Sequence, residues 1–250
     1  MRRIIRMLLW NIIALPVIWC RLCYRAAHNE KYSIENQWEF IKYMVRRANK
    51  GGRVTILSTG TENIPEKDGF IYFPNHQGLY DVIAIMEAST KPFGAVAKKE
   101  VRNVPLLKQV FACTNSFIID RENIREGLKT IMQIAKAIEG GRNYCIFPEG
   151  TRSGERNVVR EFKGGSFKAA IMSKCAIVPV ALIDSNMPFD SKTTKPVTVQ
   201  VHFLLPIYYE EYEGLKSTEI AKIVRERIVE KIEAQTSSIK NATVDKPISV

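Results

Sequence analysis

Histidine is scarce in this sequence, and three scattered residues, His28, His76 and His202, argue against a multi-histidine metal centre. The five cysteines are odd in number and lie in apolar stretches, which argues against a secreted disulfide framework and fits a reducing compartment. Cys20-Arg-Leu-Cys23 has C-x-x-C spacing, but no second pair or histidine pair accompanies it, so helix packing is its expected role. No apolar run reaches the roughly 20 residues that a bilayer-crossing helix needs. Also missing are a G-x-S-x-G nucleophile elbow, a G-x-x-x-x-G-K-[ST] phosphate loop and a G-x-G-x-x-G turn after a strand. Acidic residues are outnumbered too: 26 Asp+Glu against 37 Lys+Arg leave a net charge of +11, a surplus that favours anionic partners.

What is present begins with a basic, apolar N-terminus. Arg2, Arg3 and Arg6 precede an uncharged run from Met7 to Cys20 that Pro16 interrupts, and Arg21 and Arg25 follow. A signal peptide would share this layout, but no A-x-A site follows, and the bulky Trp19 before Cys20 does not suit a lipoprotein site. A monotopic anchor dipping into one leaflet fits better, with Trp10 and Trp19 as interfacial side chains and the arginines meeting anionic lipid. A second amphipathic helix is expected from Ser33, its N-cap, to Lys50. Trp38, Ile41, Met44, Val45 and Ala48 share one side, and Gly51-Gly52 closes the unit. That side either contacts membrane with the first segment or packs into a core.

From Arg53 the period changes. VTILSTGT, GFIYFPN, FGAVAKK, SFIID, YCIFPEG, AIVPVAL and VTVQVHF read as short strands. Helical patterns lie between several of them, at residues 81–89, 121–140 and 166–174, and a last amphipathic helix spans residues 217–235. This alternation predicts an α/β fold, one domain with a mixed, partly parallel sheet flanked by helices. The expected organisation is a membrane-associating two-helix segment at residues 1–52, the α/β domain at 53–237 and a polar, flexible tail at 238–250.

Two stretches carry chemistry. In FPNHQGLYD, residues 73–81, a histidine stands at a strand-to-helix turn five residues before an aspartate. Five residues apart on one helix, the two side chains would point about 140° away from each other. They can meet only if His76 precedes the helix that Asp81 begins, a turn that Pro74 and Gly78 allow. Asp81 would then hold one ring nitrogen and leave the other as a base. A satisfied turn histidine is the other reading. With no protein nucleophile in view, such a base acts on a substrate hydroxyl or on water. FPEGTRS, residues 147–153, offers a carboxylate, an exposed backbone, a hydroxyl and a guanidinium at a strand end, a set that suits a polyol phosphate. Arg121, after SFIID, and Lys98, in AVAKKE, stand at other strand ends, although a surface charge explains either alone.

In order, these segments resemble the lysophosphatidic acid (1-acylglycerol-3-phosphate) acyltransferase family. Its N-H-x-x-x-x-D block matches Asn75, His76 and Asp81, and its second block matches SFIIDR with Arg121. FPEGTRS matches at every position, Val178-Pro179-Val180 matches the fourth block, and FKGG at 162–165 resembles a further family element. Three residues depart from the pattern: Gly78 stands where many members have serine, Asn115 where glycine is common and Ile118 where an aromatic is common. The resemblance implies transfer of a fatty acyl group from an acyl-CoA or acyl carrier protein thioester to the sn-2 hydroxyl of 1-acylglycerol-3-phosphate, giving phosphatidic acid. His76 would be the general base and Asp81 its orienting partner. Asn75, Arg121, Glu149, Gly150, Thr151, Arg152 and Lys98 would bind substrate, with no metal or cofactor. The same resemblance implies a membrane-associated enzyme on the cytoplasmic face, an anionic membrane surface as partner, and no nucleic acid. Glycerol 3-phosphate or another lysolipid is an alternative acceptor. Lipid hydrolysis and non-catalytic membrane binding are alternatives of other classes.

Overall fold

A computed structural model of the chain describes residues 2–120 and 123–244. Helices α1 (Arg2–Trp10), α2 (Leu15–Ala27) and α3 (Ile34–Gly52) precede strand β1 (Val54–Thr59). Then come β2 (Phe70–Pro74), α4 (Asp81–Ala88), β3 (Gly94–Lys98), α5 (Leu107–Cys113), β4 (Phe117–Ile119), α6 (Ile124–Glu139) and β5 (Tyr144–Cys145). The chain closes with α7 (Lys168–Ser173), β6 (Ala176–Ile183), α8 (Met187–Asp190), β7 (Val197–Phe203), α9 (Tyr209–Tyr212) and α10 (Ser217–Val244).

All seven expected strands form, in one sheet of order β1-β7-β6-β2-β5-β3-β4. The five strands β6, β2, β5, β3 and β4 run parallel, while β7 is antiparallel to β6 and parallel to β1. Central β2 is buried at every residue, as befits a strand covered on both faces. Its alternation sorts the two cores. Phe70 and Tyr72 face α3 and α4 with Trp38, Ile41 and Ile85, whereas Ile71 and Phe73 face α6, α7 and α10 with Ile134, Ala170 and Val224. Because the five strands are parallel, Ile183, Pro74, Cys145, Lys98 and Ile119 end on one edge, where ligands bind in such sheets.

Helix α3 starts at its expected N-cap, with Ser33 Oγ accepting from Asn36 N at 3.2 Å. Of the two readings of its apolar side, core packing is the one that forms: Trp38, Ile41 and Val45 are buried in the sheet's core, with Met44 and Ala48 packed against it. Gly51 and Gly52 lie inside the last turn rather than after it, and they admit α1. A Cβ on Gly51 would stand 2.9 Å from the Trp10 Cβ. Helix α1 is pinned by Arg3, whose buried guanidinium donates to the carbonyls of Gly52 (2.6 Å), Thr193 (3.1 Å) and Lys195 (2.9 Å).

Around the elbow between α1 and α2, Leu8, Leu9, Trp10, Ile12, Ile13 and Val17 are exposed, Ile13 at 92%. No single helix among the described residues is long and apolar enough to cross a membrane; α1 and α2 together are, but they bend by 93°. At the other end, α10 runs to Val244, past Ser238, where a flexible tail was expected to begin. No glycine or proline stands between Ser217 and Pro247 to stop it. Residues 245–250 of that expected tail lie outside the described residues.

On β7, paired with Ala181 of β6, His202 is buried, with Thr59 Oγ1 2.7 Å from Nδ1 and Gln200 Oε1 3.1 Å from Nε2. Burial, and secondarily the Lys231 charge, push its pKa down from 6.5 to about 4. Between those values the unfolded chain takes up a proton that the folded chain refuses, so stability falls as pH drops through that window. Urea melts of the wild type should lose roughly 2 kcal/mol between pH 7 and pH 5 from this group, a loss that His202→Gln removes.

Candidate active site

The chain leaves β2 at Pro74, and residues 75–80 turn it into α4, whose first residue is Asp81. A carboxylate there suits the exposed N–H groups of a helix start. The completely buried Asp81 uses one oxygen, Oδ2, to accept from Gln77 N at 2.7 Å and from Gly78 N at 3.0 Å. The same oxygen lies 2.7 Å from His76 Nδ1. The two residues therefore meet through a turn, with the histidine before the helix. Facing a carboxylate, Nδ1 is the protonated nitrogen, and Nε2 keeps its lone pair. The imidazole is partly open, its side chain 20% exposed, and the Phe147 ring packs on it at 4.2 Å between centroids.

Loops from β5 and β6 lock this turn. Glu149 is buried, accepting from His76 N at 2.8 Å through Oε1 and from Arg160 N at 3.3 Å through Oε2. Burial raises its carboxyl above the usual glutamate range, against the lowering effect of those two backbone donors. Ser153 N closes the contact from the other side, donating to His76 O at 2.8 Å. The His76 turn and the FPEGTRS loop are thus one hydrogen-bonded unit.

Asn75 was expected to bind substrate, but the structure gives it a clamping position. It is fully buried, with Oδ1 accepting from Leu182 N at 2.7 Å and Nδ2 donating to Leu182 O at 3.1 Å. Asn75→Ala strips the buried Leu182 N–H of its partner, while Leu182 O keeps a second donor in Gln77 Nε2, and should lower stability by about 1–3 kcal/mol, read as a shift in the denaturant midpoint. Glu149 is likewise turned inward by its two backbone bonds rather than presented to solvent. Thr151 and Arg152 are exposed on the turn after Gly150, which adopts the positive φ of 76° that favours glycine. Lys98, half-buried, ends β3 on the same edge, two strand positions from β2. Arg121 lies outside the described residues. Asn115 takes a left-handed φ of 50°, the conformation that glycine supplies elsewhere and that asparagine tolerates.

Gln77, Asn157 and Asp184 were not anticipated. Gln77 Nε2 donates to Leu182 O at 2.6 Å, and its Oε1 accepts from Asn157 N at 3.1 Å. Asn157 and Asp184 exchange two bonds of 2.9 and 2.8 Å, while Arg156 forks onto the Asp184 carboxylate at 2.7 and 2.8 Å. Burial alone would raise the Asp184 carboxyl, but the bonds from Arg156 and Asn157 outweigh it and hold the group low. The only local hint is residue type, because Asn157 and Asp184 both sit at φ 60°, which Asn and Asp tolerate. No group of three or more His, Cys, Asp or Glu able to hold a metal gathers among the described residues.

Comparison with known proteins places this geometry. The family described as Acyltransferase matches residues 55–183, which include His76, Asp81 and the FPEGTRS loop. A 1-acyl-sn-glycerol-3-phosphate acyltransferase of Borreliella burgdorferi is 31% identical over 185 residues, 72% of this chain and 72% of its own length. The protein of the same name from Salmonella typhimurium is 31% identical over 163 residues, 65% of this chain and 66% of its own. The crystal structure of the 1-acyl-sn-glycerophosphate (LPA) acyltransferase PlsC from Thermotoga maritima superposes with a TM-score of 0.77 over 94% of this chain and 96% of that one. At 23% identity it establishes the fold.

Proposed function

The chain belongs to the acyltransferase family, alongside the 1-acyl-sn-glycerol-3-phosphate acyltransferases, and on that premise we propose that it acylates the sn-2 hydroxyl of 1-acylglycerol-3-phosphate to phosphatidic acid. The observation that carries this reading is the His76–Asp81 contact of 2.7 Å at a partly open imidazole, to which no serine, threonine or cysteine side chain among the described residues is hydrogen-bonded.

His76 Nε2 takes the proton of the acceptor hydroxyl as the oxygen attacks the thioester carbonyl. The new C–O bond forms first. The tetrahedral intermediate then breaks its C–S bond, and the departing thiolate recovers the proton from the imidazolium. Asp81 stabilises that transient cation and keeps the ring in the productive tautomer. Arg152 and Thr151, with the Gly150 backbone, hold the glycerol phosphate; Lys98 adds positive charge along the same edge, and Arg121 is assigned to substrate by its sequence block alone. Glu149 acts through the His76 backbone as a positioning residue, and Asn75 does so through Leu182.

The donor is an acyl thioester of coenzyme A or of acyl carrier protein. The acceptor resides in a bilayer, and the exposed apolar elbow of α1 and α2 supplies a monotopic contact, with Arg2, Arg6 and Arg21 meeting anionic lipid on the cytoplasmic face.

An acceptor panel tests the reading. Purified protein in mixed micelles is given acyl thioester with 1-acylglycerol-3-phosphate, glycerol 3-phosphate or a lysolipid lacking the phosphomonoester, and the lipid products are identified. Phosphatidic acid from the first acceptor alone is the expected result. Preferential acylation of either other acceptor overturns the acceptor assignment, and free fatty acid made without any acceptor indicates hydrolysis.

A further inference from the structure

A cavity of about 560 Å³ lies between α5 and β4, lined among others by Arg102, Asn103, Lys108, Phe111, Ser116 and Ile118. The reaction as described leaves it without a role. We propose that it receives the phosphopantetheine arm of the acyl donor, with the phosphate at Arg102 and Lys108; this rests on the acyl-transfer reading.

Three features of the cavity point to that ligand. The first is its chemistry. Arg102 and Lys108 are exposed and have no carboxylate partner among the described residues, so both charges are available to a phosphate. Phe111 and Ile118 offer apolar surface to the dimethyl-branched part of the arm, and the exposed Asn103 offers a hydrogen bond to one of its amides.

The second is its position. Phe117 packs at a tilt against Tyr144 in the core under α6 and α10, so its neighbour Ile118 faces the opposite side of the sheet. That is the side covered by α4, the helix that carries Asp81. Arg102 follows the end of β3, on the same sheet edge as His76.

The third is length. β4 lies three strand positions from β2 in the sheet, which at the usual strand spacing is roughly 14 Å. From sulfur to phosphorus the phosphopantetheine arm has roughly thirteen bonds, equal to about four residues of extended chain or roughly 15 Å. With its phosphate at the cavity, the arm can place the thioester beside His76. The groups on the FPEGTRS turn then remain for the acceptor, so the two substrates approach from different sides.

The test is steady-state kinetics of wild type and Arg102→Ala/Lys108→Ala with three donors: acyl-CoA, acyl carrier protein and acyl-pantetheine, which has no phosphate. The expected result is a rise of about tenfold in KM for both phosphate-bearing donors, less than about twofold for acyl-pantetheine, and an unchanged KM for 1-acylglycerol-3-phosphate. Both side chains are exposed, so an unchanged melting midpoint serves as the folding control. Unchanged donor KM values overturn the proposal, as does an equal rise with acyl-pantetheine. A rise confined to the carrier protein replaces it with a protein-docking surface, and a rise in acceptor KM alone assigns the cavity to the acceptor. A wild type that transfers no acyl group sinks the underlying reaction and the cavity's role with it.

Discussion

Replacing His76 by alanine should lower kcat for acyl transfer by about 10²–10⁴, the usual contribution of a general base. The loss falls on kcat rather than on acceptor KM, because the ring acts on the hydroxyl proton while the phosphate is held elsewhere. Folding should survive. The imidazole is partly open, and its bonds to neighbouring loops run through the backbone: His76 N to Glu149 and His76 O from Ser153. Circular dichroism and the melting midpoint of His76→Ala should therefore match the wild type closely while phosphatidic acid formation collapses. If the variant keeps more than about a tenth of wild-type kcat, the base assignment is wrong.

Asp81→Asn should cost nearly as much, about 10²–10⁴ in kcat, by a different route. Asparagine still offers an oxygen to Gln77 N and Gly78 N, so the turn is kept. What is lost is the negative charge that fixes the proton on Nδ1 and stabilises the imidazolium. The amide oxygen that keeps those two bonds also faces the ring, so Nδ1 retains an acceptor, but an uncharged one. The defect is one of charge, so raising the pH should not restore the rate. Alanine is the less informative change here. It leaves two buried backbone N–H groups without a partner, at about 1–3 kcal/mol each, and confounds folding with catalysis.

The strands were legible because β-branched and aromatic runs bounded by turns report a covered sheet directly. The His76–Asp81 contact was legible because a helix forbids it and the turn before Asp81 permits it. Pro74 and Gly78 mark that turn. The role of α3 was not legible: an amphipathic pattern says which side is apolar, but not whether lipid or a sheet covers it. The Asn75 clamp on Leu182 was hidden for another reason. The partners are 107 residues apart, and the bonds go to main chain, which leaves no pattern in side-chain identity. Glu149 was misjudged in direction only. A motif names the carboxylate, whereas the fold decides that it faces the His76 backbone. Gly51 and Gly52 read as a helix end because glycine is common there, but their work is to let Trp10 and Met7 of α1 approach.

The central claim is that the acceptor hydroxyl attacks the thioester directly, with no acylated protein on the way. Thiol release from a stoichiometric amount of acyl thioester tests it most directly, with and without 1-acylglycerol-3-phosphate, alongside the intact-protein mass. Direct attack predicts thiol only when acceptor is present, one thiol per phosphatidic acid, and a protein mass that never changes. A thiol burst without acceptor, accompanied by a protein heavier by one acyl group, would contradict it.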